Sequence, residues 1–174
     1  MKKKIIRHIN QTCEYKQEKI VKFFWEQTDE IFVGKNLVCY DNSIVFLPNV
    51  DSGPFDLYLY GWKIFIATGS IGVNHFRYLS GYFLKDEVIL SNLNIPKSIK
   101  GIVKFKTDFE IFHGIYYNDF FPFVQNMYYD KDTQWLALGD INCVGNAIEF
   151  ATNNIAVINE NNDLVAIYVK LFKE

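Results

Sequence analysis

The stretch Asn154-Ile155-Ala156-Val157-Ile158-Asn159-Glu160-Asn161-Asn162-Asp163-Leu164-Val165-Ala166-Ile167-Tyr168-Val169-Lys170-Leu171-Phe172 decides the fold class. Two aliphatic runs flank five polar residues. In the second run Val165, Ile167, Val169 and Leu171 recur at every other position, which is the period of a strand. The intervening Asn and Asp residues suit a turn, since their side chains bond their own backbone and tolerate left-handed conformations. An antiparallel hairpin is therefore expected to close the chain.

The same grammar extends upstream. Short apolar runs at Leu37 to Tyr40, Ile44 to Leu47, Phe55 to Ala67 (broken at Gly61), Tyr82 to Leu84, Val88 to Leu90, Gly101 to Lys106, Phe109 to Phe112 and Trp135 to Leu138 are punctuated by turn residues. One segment differs. From Thr12 to Gln27, Tyr15, Ile20, Phe23 and Phe24 recur at mixed three and four spacing among Lys16, Glu18, Lys19, Lys22 and Glu26, with Thr12 as a candidate N-cap, and this pattern predicts a helix. The expectation is an α+β domain: an N-terminal helix with a predominantly antiparallel β-sheet, ending in a C-terminal β-hairpin. With 174 residues, an apolar fraction of 49% and no internal repeat or linker, residues 1–174 read as a single globular domain.

Composition narrows the function classes. Cys13, Cys39 and Cys143 are odd in number and lack a CxxC pair, so they read as reduced thiols and not as a disulfide framework or zinc site. Met1-Lys2-Lys3-Lys4 is followed by only Ile5 and Ile6 before Arg7 and His8, too short for a signal-peptide core, and no run approaches the roughly 20 apolar residues that cross a bilayer. A cytoplasmic, soluble protein without a membrane span is expected. The formal charge of −2 conceals an asymmetry: 15 basic and 10 acidic residues up to Lys106, then 3 basic and 10 acidic, or +5 followed by −7. An acidic surface repels nucleic acid and attracts basic proteins.

No signature of chemistry accompanies this. His8, His75 and His113 lie in no nucleophile or base motif; GxSxG and HExxH are absent; and Gly69-Ser70-Ile71-Gly72 lacks the remaining residues of a phosphate loop. Asp108 and Glu110 would share one strand face with His113 on the other. No enzyme activity, no metal and no cofactor is expected. The most distinctive segment is aromatic and acidic: seven of the fourteen residues from Tyr116 to Tyr129 are Phe or Tyr. Phe120, Phe121 and Phe123 suit a core. Tyr116, Tyr117, Asp119, Tyr128, Tyr129, Asp130 and Asp132 are the candidate partner-binding residues, because tyrosines supply contact area at low entropy cost and carboxylates receive Lys and Arg.

The passages Trp135-Leu136-Ala137-Leu138-Gly139-Asp140 and Ala147-Ile148-Glu149-Phe150-Ala151, with the closing hairpin, resemble the ends of bacterial immunity proteins from contact-dependent and polymorphic toxin systems. The resemblance implies a cytoplasmic inhibitor that binds one cognate toxin domain, often a nuclease, and blocks its active site. A basic toxin is the partner that an acidic, aromatic surface would suit. The alternatives are a small-ligand-binding or enzymatic β-rich domain with a tyrosine-lined pocket, and a structural subunit of a homo-oligomer.

Overall fold

The computed structural model describes residues 21–40, 43–48, 57–59, 64–67, 75–107 and 126–173. The expected strand at Phe109 to Phe112 and the residues Tyr116, Tyr117 and Asp119 lie outside the described residues, as does the expected helix up to residue 20. The strands are β1 (Val21–Gln27), β2 (Asn36–Tyr40), β3 (Ser43–Pro48), β4 (Leu57–Leu59), β5 (Ile64–Ala67), β6 (Tyr78–Leu84), β7 (Ile89–Leu90), β8 (Ile99–Thr107), β9 (Met127–Asp130), β10 (Trp135–Gly139), β11 (Asn146–Ala151), β12 (Asn154–Ile158) and β13 (Leu164–Lys173). The helical structure among the described residues is one 3-10 turn, Lys85–Glu87.

The fold is thus mainly β, and the α+β expectation is corrected. Where the described residues overlap the expected helix, the chain is strand β1, paired antiparallel with β8 in unbroken register from Val21↔Thr107 to Gln27↔Gly101. The side chains explain why. Phe23 is buried, Val21 and Trp25 pack against the same core, and the intervening Lys22, Phe24 and Glu26 face outward. The consecutive apolar residues Phe23-Phe24-Trp25 satisfy a helical stripe and a strand alternation equally well. A β8 partner, together with the strand preference of Val, Phe and Trp, selects the strand.

The sheet is mixed. It runs β1-β8-β11-β12-β13-β2-β3-β6-β5-β4, with β10, β9 and β7 continuing from β13. Three pairings are parallel: β8 with β11, β13 with β2, and β7 with β9. Two long strands take successive partners along their length. Strand β13 pairs with β12 from Leu164 to Val169 and then with β2 from Leu171 to Lys173. Strand β8 pairs with β11 at Ile99 and Lys100, then bridges His75 at Lys104, where the Phe76 N–H donates to Val103 O at 2.8 Å. At the first changeover, a buried Asn36 donates from Nδ2 to Asn154 Oδ1 (3.1 Å) and Lys170 O (3.4 Å), satisfying polar groups that the end of β12 leaves unpaired.

Both faces of β10 to β13 are buried. On one face Leu136, Leu138, Ile148, Phe150, Ile158, Ile167 and Val169 meet Phe23, Phe76, Leu79, Phe83 and Phe105. The other carries Ala137, Ala147, Ile155, Val157, Ala166 and Tyr168, covered by Leu93, Ile95 and Ile141. Small residues there let the segment after β7 lie close to the sheet. Val165 packs on this second face, not with Ile167 and Val169, because the β12–β13 register shifts by one residue between Val157 and Ile158. A bulge of this kind inverts the alternation beyond it.

The hairpin connection is closed by Asn159, whose Oδ1 accepts the Asn161 and Asp163 N–H groups, both at 2.9 Å, with Asn162 in a left-handed conformation (φ 61°). The start of β1 is anchored there: Phe23 N–H donates to Asn162 O (2.8 Å), and Lys22 pairs with Asp163 (2.6 Å).

Candidate functional site

Of the seven sequence-derived candidates, four are described, and the structure divides them. Tyr128 and Tyr129 are successive residues of β9 and so face opposite sides of the sheet. Tyr129 is buried in the main core, whereas Tyr128 is half-buried against the second cluster. Asp130 is buried and organises the β9–β10 turn: Oδ1 accepts Asp132 N–H (3.0 Å) and Thr133 N–H (3.1 Å), and Oδ2 accepts Leu93 N–H (3.0 Å). Asp132 is exposed. Together with Leu90, Ser91, Asn92 and Lys131, the residues Tyr129, Asp130 and Asp132 line a cleft of about 300 Å³.

Asp130 ties the segment covering the second face to the turn. The Leu93 N–H bond, followed by that from Thr133, holds its carboxyl below the usual carboxylate range. A carboxylate lowered in the folded state contributes stability above its unfolded pKa, and that contribution is lost as pH falls through the folded value. Asp130→Asn is therefore expected to flatten the pH dependence of stability below about pH 4. It should also raise Leu93 amide exchange roughly tenfold or more at neutral pH. Thermal melts between pH 2 and 7, together with hydrogen exchange, check both; an unchanged Leu93 rate would remove the latch.

A larger cleft, of about 610 Å³, is lined by Asp29, Glu30, Ile31, Val33, Lys100, Glu149 and Thr152. Its walls come from the segment after β1, the start of β8 and the end of β11. The segment is fixed by backbone bonds, Thr28 N–H to Lys100 O (3.2 Å) and Thr152 N–H to Phe32 O (2.8 Å), and by a parallel bridge between Phe32 and Ala151. Glu149 Oε1 accepts Asn153 N–H at 2.8 Å, while Asp29 and Glu30 are exposed. Three carboxylates thus face one lysine, and Val33, 75% exposed, supplies an apolar contact. This cleft is not legible from local sequence: Glu149 looks like any outward residue of a strand, and Asp29-Glu30 reads as a solvated turn.

The two clefts occupy the same end of the sheet. Lys170 N–H donates to Asn153 O in the β11–β12 turn (3.0 Å), and Leu171 N–H donates to Gln134 O in the β9–β10 turn (2.9 Å), so both turns flank the same stretch of β13. Strands β9 and β11, which carry lining residues of the two clefts, stand four strand positions apart, on the order of 20 Å at ~4.8 Å per strand.

On the opposite side of the Ile31–Val33 backbone, Phe32 stacks on His75 (ring centroids 5.9 Å apart, 13° between planes) and meets Tyr78 at 5.5 Å. The Arg77 guanidinium lies 4.9 Å above Phe32 and 5.8 Å from Tyr78. Burial, then the charges of Arg77 and Lys104, push the His75 pKa below its ordinary value, leaving the imidazole neutral at pH 7.

Among the described residues, no cluster of three His, Cys, Asp or Glu side chains is placed to hold a metal ion, and no helix is long and apolar enough to cross a membrane. No protein-family model matches the chain, and no curated protein aligns with it.

Proposed function

We propose that this chain is an inhibitory binding protein of the immunity class, which occupies a basic cognate toxin domain, such as a nuclease, in the cytoplasm. The observation that carries the reading is the cleft of Asp29, Glu30 and Glu149 beside the exposed Val33. An acidic recess with an apolar contact at its mouth is the complement of a surface that binds nucleic-acid phosphates. Carboxylates placed there both speed the encounter and occupy the phosphate positions. The smaller cleft carries Asp132 on the same end of the sheet, so a partner seated across both would contact the exposed part of the aromatic and acidic segment as well.

Co-expression with the toxin domain encoded beside it tests the class: restored growth supports inhibition, and unrelieved toxicity overturns it. The surface is tested by the double variant Asp29→Lys, Glu30→Lys. Both residues are exposed, so the fold should persist, while the association rate with the toxin domain at low salt is expected to drop about 10- to 100-fold. Stopped-flow association at two salt concentrations reads this. An unchanged rate would move the interface elsewhere.

A further inference from the structure

Among the cations on the outer side of β1, β8 and the segment before β6, two have carboxylate partners: Lys22 pairs with Asp163 and Lys104 with Glu26. Arg77 has none among the described residues. Its guanidinium lies against Phe32 and Tyr78, and its Nε is buried without a hydrogen-bond acceptor. The orientation is fixed from both ends. Phe32 is held by its carbonyl, which accepts from Thr152 N–H (2.8 Å) and Thr152 Oγ1 (3.3 Å). Arg77 follows Phe76, whose ring is wholly buried.

A guanidinium packed against two aromatic rings keeps the planar arrangement of N–H donors whose fork geometry matches a carboxylate. We propose that Arg77, flanked by His75 on Phe32, is the anchor of a carboxylate-binding subsite that accepts an acidic group from outside the chain. His75 stacks on the same Phe32 ring and brings no competing negative charge. The subsite lies across the Ile31–Val33 backbone from the acidic cleft but does not depend on the inhibitory reading, because it binds the opposite charge by a different residue.

The test is titration of the isotope-labelled full chain with sodium acetate and, separately, with inorganic phosphate, against sodium chloride at matched ionic strength, following the Arg77 Nε–H resonance and the neighbouring amides. The expected result is a saturable, acetate-dependent shift confined to residues 32 and 75–78. In R77K the backbone amide response should weaken at least tenfold, since lysine keeps the charge and loses the fork; R77Q, which loses the charge as well, should abolish it. A response indistinguishable from that to chloride overturns the site. A stronger response to phosphate than to acetate overturns its assignment to a carboxylate, and an undiminished response in R77K removes Arg77 as the anchor.

Discussion

Phe76→Ala is expected to lower the unfolding free energy by about 3–5 kcal/mol, the usual cost of deleting a buried aromatic ring. Phe76 is fully buried and touches three other rings: Phe150 at 5.3 Å and 82°, Phe23 at 5.9 Å and 79°, and Phe105 at 6.1 Å. Two of these contacts are edge-on, the geometry that aromatic quadrupoles favour, and each pair adds about 0.5–1.5 kcal/mol beyond area burial. These rings come from β1, β8, β11 and the segment before β6, so one side chain joins elements from both ends of the sheet order. Against a total stability of roughly 5–15 kcal/mol, the loss is a large fraction. In urea the midpoint should fall by roughly 2 M. The comparison is Phe24→Ala, on the opposite face of β1 from this cluster: Phe24 is 36% exposed and contacts Lys106 instead, so its loss should cost about 1 kcal/mol or less. If the two variants melt alike, the four rings do not form the centre of the core.

The elements legible in the sequence are those whose pattern is local. The hairpin of β12 and β13 could be read because period-2 alternation and an Asn-rich connection point to the same structure, and the pairing runs from Asn154↔Val169 to Ile158↔Leu164. Strand β1 was not legible. Phe23, Phe24 and Trp25 are all apolar, and only the partner β8, about eighty residues away, decides which of them turns inward. The facing of Val165 was hidden for a related reason: the register shift lies in a pairing between strands, not in either strand alone. At the candidate site, local sequence could pick out Asp130 and Tyr129 as unusual but not say why. One is spent on three backbone N–H groups and the other on the core. Asp29, Glu30 and Glu149 carry no local sequence signal, because what gathers them is the meeting of the segment after β1 with β8 and β11.

That meeting point makes Gly101→Ala the second sensitive substitution. Gly101 lies in β8 next to the residues that pair with β11, opposite Gln27 of β1. A Cβ placed on it would stand 2.8 Å from the carbonyl oxygen of Glu26 and 2.8 Å from Cγ2 of Ile148. Ile148 is completely buried, and the Glu26 oxygen belongs to the backbone of a paired strand, so neither yields without disturbing an element. Overpacking of this kind costs about 1–3 kcal/mol. The easier movement is for the end of β1 to lift from β8, because the next contact, Thr28 N–H to Lys100 O, is already long at 3.2 Å. Lifting it carries Asp29 and Glu30 away from Glu149. Gly101→Ala should therefore raise Thr28 amide exchange and, under the proposed inhibitory function, weaken binding of the toxin domain by more than a core variant of equal stability loss, such as Ile167→Val, for which about 0.5–1.5 kcal/mol is expected. Calorimetric binding of both variants, measured well below their melting temperatures, separates the two effects. Equal affinities would mean that β1 holds its place and that the cleft does not depend on the close approach at Gly101.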